Sequence, residues 1–156
     1  GHLDVLKYLH ENDCPWDSWT IEEAAKQGNL AMVKYCVENE CPMNEGACEW
    51  AAKKGHLDVL KYLHENDCPW DSRTIEEAAA QGNLAMVKYC VENGCPMDEG
   101  ACNWAAGVGH LDVLKYLHEN GCPWYSGACF WAHRNNHVDC LNYLIEQKCE
   151  GFERYV

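Results

Sequence analysis

His2–Ser18 reads HLDVLKYLHENDCPWDS. The same seventeen residues return at His56–Ser72, and a near copy, HLDVLKYLHENGCPWYS, fills His110–Ser126. Aligned on the glycine before each copy, the chain starts a unit at Gly1, Gly28, Gly55, Gly82, Gly109 and Asn136, a constant step of 27 residues. Cys14, Cys41, Cys68, Cys95, Cys122 and Cys149 keep that step. A fixed period of this size is the mark of a stacked repeat array and outranks any local motif. A longer beat is superposed on it. Residues 1–54 and 55–108 differ at only seven places, so units of two types alternate: one reads GHLDVLKYLHENDCPWDS, the other GNLAMVKYCVENECPMNEG.

Each unit carries two helical patterns. The longer is expected over about Leu3–Glu11, with Val5, Leu6 and Leu9 at the spacings of one helix face. The shorter is expected over about Ser18–Gln27, with Ile21, Ala24 and Ala25 on one face. Asp17, Asn44, Asp71 and Asp98 stand where an N-cap oxygen accepts the first unpaired amides; Tyr125 breaks the rule, and Ser126 is expected to take over. Gly28, Gly55, Gly82 and Gly109 close the shorter helices in the left-handed region. The proline after each periodic cysteine except Cys149 lacks an N–H and is expected to stop the longer helix. Two helices of about ten residues cannot bury their stripes alone, whereas stacked neighbours share one core. The expected fold is all-α, a solenoid of stacked antiparallel helix pairs, read as one array over residues 1–156.

The totals narrow the function. The chain has 156 residues, 25 acidic against 12 Lys and Arg, and a net charge of −13. Such a surface repels phosphate backbones, which proteins bind through Lys and Arg, so nucleic acid is not an expected partner. No run approaches 18 apolar residues, and the first residues, GHLDVLKYLH, show neither a basic leader nor a long apolar core, so no membrane span or signal peptide is expected. Twelve cysteines without a single CxxC pair point to reduced thiols in a cytoplasmic or nuclear setting.

AAKQGNLAMVKYCVENECPMN from Ala24 and AAKKGHLDVLKYLHENDCPWD from Ala51 resemble the ankyrin repeat. Gly55-His56, Val59-Leu60 and Leu63 fall on the family's turn and helix positions; His64 departs from the second apolar pair, and Asn120–Trp124 lies at the closing Gly-Ala turn. Ankyrin repeats usually run 33 residues. The missing six fall between Asp17 and Trp19, where the family has its β-hairpin finger. The chain therefore resembles short, finger-less ankyrin-like repeats, with hairpins reduced or absent. The resemblance implies an ankyrin-like superhelix and a non-catalytic scaffold for protein–protein interaction, without cofactor.

Every cysteine falls where such a repeat holds a small or apolar residue, and free cysteine behaves as a small hydrophobe. Packed helices lie about 8–10 Å apart, too far for a disulfide between successive units. The local triplets Cys36, Cys41, Cys48 and Cys90, Cys95, Cys102 are the remaining metal or redox candidates, though their spacing matches no zinc pattern. Trp16, Trp70 and Trp124 alternate with Met43 and Met97 and are read as covers for helix ends; an exposed aromatic ladder is the other reading. Trp50, Trp104 and Trp131 share a position with Glu23 and Glu77, on the border between stacking and surface. His2, His56, His110 and His137 are expected to bond backbone at the inter-helix turn. No Ser-His-Asp or Cys-His arrangement can be assigned from spacing.

The seven differences between the two near-copies are Trp19/Arg73, Lys26/Ala80, Glu40/Gly94, Asn44/Asp98, Glu49/Asn103, Lys53/Gly107 and Lys54/Val108. None falls on the apolar stripe of a longer helix. In the resembled family the shorter helices line the concave, partner-contacting face. That implies a binding surface at Trp19, Lys26, Glu49, Lys53, Lys54, Arg73, Asn103, Val108 and Arg134, suited to an acidic or mixed protein partner; surface drift is the competing explanation. A rival role is structural: apolar ends of the array could stack on other copies, giving self-association.

Overall fold

The computed structural model describes residues 3–155; the turn expectation for His2 lies outside them. Two compact units are present, Gly1–Trp70 and Asp71–Val156. The first holds α1 (Leu3–Glu11), α2 (Ser18–Lys26), α3 (Leu30–Glu38), α4 (Glu45–Lys54) and α5 (Leu57–Glu65). The second holds α6 (Ser72–Ala80), α7 (Leu84–Glu92), α8 (Glu99–Val108), α9 (Leu111–Glu119), α10 (Ser126–Arg134), α11 (Val138–Glu146) and a 3₁₀ turn, Phe152–Arg154. Among the described residues there is no strand, and the class is that of an all-α repeat solenoid. The two helices of a repeat do not differ in length as expected: each has 9 residues, except α4 and α8 with 10. In the first unit α2 packs on α4, while α1, α3 and α5 form a second row; in the second unit α6, α8 and α10 face α7, α9 and α11 in the same way.

The rows are held by the stripes read from the sequence. Ile21, Ala24 and Ala25 of α2 are fully buried, as are Val59, Leu60 and Leu63 of α5 and Val113, Leu114 and Leu117 of α9. Each buried Ile, Val or Leu side chain among them contributes about 1.5–3 kcal/mol. Helix α1 has the same sequence as α5 but no buried residue, and its Val5 is 53% exposed.

The caps follow the 27-residue step. The carboxylate or amide of Asp17, Asn44, Asp71 and Asp98 accepts the N–H two residues on, at Trp19, Gly46, Arg73 and Gly100. Ser126 does not replace the missing cap of α10. It is the first helical residue, and Tyr125 occupies the N-cap without a side-chain bond. The proline is not the stop of the second helix either. Asp67, two residues after α5 ends, takes φ +60; its N–H reaches His64 O at 3.1 Å, and Cys68 N–H reaches Leu63 O at 3.0 Å. This paired closure satisfies the last carbonyls before Pro69 is reached. Asp13, Glu40, Gly94, Gly121 and Lys148 hold the same left-handed place.

At the other turn Gly28, Gly82 and Gly109 are left-handed at φ +67, +67 and +89. They also lie under the rings of His56, His110 and His137: a Cβ on Gly28 would sit 2.5 Å from His56 Cε1. His110 bonds backbone, as expected, but not at its own turn. Its Nε2 meets Ala80 O of the preceding repeat at 3.2 Å.

Candidate partner-binding face

In the first unit, α2 and α4 present one face built from positions a helical turn apart. Trp19 is 74% exposed at the start of α2. Lys26, near its end, pairs with Glu23 at 3.0 Å. Hydrogen bonds from Gln27 and Lys26 hold the Glu23 carboxyl below its usual range. Lys26 Nζ also lies 5.1 Å from the ring centre of Trp50 on α4, and Lys53 Nζ lies 5.5 Å from it, so two ammonium groups share one indole. Glu49 is half-buried, and Lys54 is exposed in the last turn of α4. A small cavity of about 70 Å³ lies among Trp19, Glu22, Glu23, Lys26 and Trp50.

In the second unit the corresponding face is less basic. Arg73 is bound to Asp71 at 3.0 Å through both Nε and Nη2. Arg134 lies 5.9 Å from the ring centre of Phe130 and 5.5 Å from that of Trp131. Asn103 and Val108 line a cavity of about 290 Å³ together with Gly100, Trp104, Gly107 and Trp131. Asn103 Oδ1 is buried with no hydrogen-bond donor, and Asn135 Nδ2 donates to Gly107 O at 2.6 Å. The fold therefore brings together Lys26 and Lys53, and separately Asn103 and Val108. The sequence reading missed the organising role of Trp50 and Trp131 and the opening left by Gly107; the recurrence of tryptophan at the 27-residue step was the available signal.

The thiols do a different job. All twelve are free and all but Cys14 are buried. The expectation of small apolar filler is incomplete, because the turn cysteines also donate. Cys41, Cys68, Cys95, Cys122 and Cys149 each place Sγ 3.3–3.4 Å from the carbonyl of the preceding repeat's N-cap residue, Asp17, Asn44, Asp71, Asp98 and Tyr125. Cys36 and Cys41 also share a hydrogen bond, as do Cys90 and Cys95, and Cys102 and Cys122. In each pair the first thiol is pushed up, by that bond and then by burial. The two cysteine triplets thus resolve into pairs. No group of three or more His, Cys, Asp or Glu side chains among the described residues is placed to hold a metal ion.

Trp16, Trp70 and Trp124 are half-buried covers rather than an open ladder. They stack on His10, His64 and His118 at ring separations of 4.0, 3.9 and 3.7 Å. His10 Nδ1 meets the Tyr35 hydroxyl of the next repeat at 3.0 Å, and His118 Nδ1 meets that of Tyr143 at 2.8 Å. The histidine that departs from the repeat pattern is thereby explained as the platform for the tryptophan.

Residues 75–153, more than half of the chain, match the family described as ankyrin repeats (3 copies). Residues 48–89 match that described as ankyrin repeats (many copies). The chain belongs to the ankyrin repeat family. Ankyrin repeats are general protein–protein interaction modules and typically non-catalytic scaffolds. No curated protein matches this ankyrin repeat chain. None of its described helices is long and apolar enough to cross a membrane.

Proposed function

We propose that this ankyrin repeat chain is a non-catalytic scaffold, read as one array over residues 1–156. It binds a protein partner of mixed charge through the face made by α2 and α4 in the first unit and, separately, through the face made by α6, α8 and α10 in the second. The observation that carries the reading is the arrangement around Trp50: an aromatic ring flanked by Lys26 and Lys53, beside an exposed Trp19. Aromatic and basic side chains of this kind dominate interface energies, and a repeat array sums many weaker contacts around them. The variation between the two near-copies supports the same face, since Lys26, Glu49, Lys53 and Lys54 all change there while the apolar stripes do not. The net charge of −13 weighs against nucleic acid, and the free thiols suit a reducing compartment such as the cytoplasm or nucleus. The test is affinity capture by the parent chain and by a variant with Lys26, Lys53, Lys54 and Arg73 changed to Glu. Lys148→Glu, off those helices, is the control. Loss of partner in the reversed variant alone supports the face; equal capture by all three overturns it.

A second reading rests on α1. Its Val5, Tyr8 and Leu9 are exposed, whereas Val59 and Leu63, the α5 counterparts of Val5 and Leu9, are fully buried. A second copy laid on that face would make an end-to-end assembly. Light scattering decides between them: mass growing with concentration favours assembly, and a constant mass removes it.

A further inference from the structure

The large cavity of the second unit is the small cavity of the first, displaced by three repeats. Trp19, Glu22, Glu23, Lys26 and Trp50 line one; the residues three steps on, Gly100, Asn103, Trp104, Gly107 and Trp131, line the other. The volume rises from about 70 to about 290 Å³ because two glycines stand where Trp19 and Lys26 stand in the first unit. Gly100 has a local reason: a Cβ there would lie 2.6 Å from the Glu76 carboxyl carbon. Gly107 has less of one. Its nearest obstacle is Trp131 Cβ at 3.2 Å, on a side chain 41% exposed. Glycine weakens a helix interior, yet position 107 in α8 is the one place in the series Lys26, Lys53, Ala80, Gly107, Arg134 without a side chain.

The first unit shows what fills this space. Lys26 Nζ lies 5.1 Å from the centre of Trp50, with Lys53 at 5.5 Å as second cation. In the second unit Arg134 keeps the second place, 5.5 Å from the centre of Trp131, and Gly107 leaves the first without a chain of its own. Glu23, which pairs with Lys26, is replaced by Trp104, so the wall opposite Trp131 is a second indole. Trp104 is in turn hydrogen-bonded to the carboxylate of Glu76. We infer that the cavity between α8 and α10 receives a lysine side chain of the partner protein, its ammonium on Trp131 in the place Lys26 holds on Trp50. Charge complementarity favours such a guest: the chain carries −13, and Glu76 stands beside two lining residues.

This inference rests on the face made by α6, α8 and α10 being a binding face and names one subsite on it. The test follows the indole N–H signals of Trp104 and Trp131 by NMR while a capped Ala-Ala-Lys-Ala-Ala peptide is added. The same peptide with norleucine for lysine is the uncharged control. The lysine peptide is expected to shift both signals saturably and to bind about 5-fold more tightly than norleucine, with the advantage shrinking in high salt. Gly107→Lys, which supplies the ammonium from within the chain, is expected to abolish the response. Gly107→Ala is expected to reduce it, and circular dichroism confirms that both variants fold. Equal binding of the two peptides, no shift, or a response undiminished in Gly107→Lys overturns the inference. A negative titration with capture still sensitive to Lys26, Lys53, Lys54 and Arg73 removes the subsite alone. A positive titration with capture indifferent to those residues removes the wider face alone.

Discussion

A cysteine three residues past the end of α3, α5, α7, α9 and α11 does two things at once. Its backbone N–H closes the helix, and its Sγ–H reaches the N-cap carbonyl of the repeat before it. Cys95→Ala removes the second link and leaves a void beside Cys90. It is expected to cost about 1–2 kcal/mol in urea unfolding, while Cys14→Ala, at an exposed site, stays within about 0.5 kcal/mol. Burial pushes the Cys140 thiol up to about 11 and that of Cys149 up to about 12. The folded state then keeps these protons after the unfolded chain, titrating near 9, has lost them. The stabilisation is complete below about pH 9 and is lost as pH climbs through 11 to 12, because the unfolded state binds fewer protons there. Melting temperature should fall over that window. The fall should be shallower in Cys140→Val, which keeps an apolar side chain of similar size and removes one of the titrating groups.

At the scale of the helix, the near-copies serve as each other's controls. Glu40 sits at φ +58, and its counterpart Gly94 takes the same left-handed turn without a side chain. Glu40→Gly is expected to stabilise the protein by about 0.5–1 kcal/mol, read as a higher urea midpoint at unchanged slope. Helix α10 lacks the cap that its sisters have. Tyr125→Asp, which restores the carboxylate found at Asp17, Asp71 and Asp98, is expected to add about 0.5–1 kcal/mol; no gain would mean that Tyr125 packing matters more than the unpaired amide. The cap at Asp17 and the glycine at Gly28 were legible because a cap and a left-handed turn depend on a few neighbouring residues. Ser126 did not take over the cap of α10. The prolines are not the helix stops, because the closure after each second helix runs through backbone bonds that any residue can make, and side-chain identity leaves no trace of them.

For the molecule as a whole, stability in a repeat array is a sum of near-neighbour terms. Helix α1 buries nothing, whereas α5, with the same sequence, buries Val59, Leu60 and Leu63. Native-state hydrogen exchange should therefore find the amides of α1 open first and those of α5 and α9 last, by several kcal/mol of opening free energy. Uniform protection would show that the helices do not derive their stability from stacking. The sequence by itself determined the 27-residue module, its two helices, its apolar stripes and the burial of its cysteines, because each depends on periodicity along the chain. Only the tertiary structure decided which partners those residues meet across repeats: cysteine on carbonyl, histidine on tyrosine hydroxyl, Lys26 over the Trp50 indole, and the opening at Gly107. Those contacts join residues 24 to 30 positions apart, as in Cys95 to Asp71 and His110 to Ala80. The distance between such groups is set by how one helix pair lies on the next, which no stretch of a single repeat encodes.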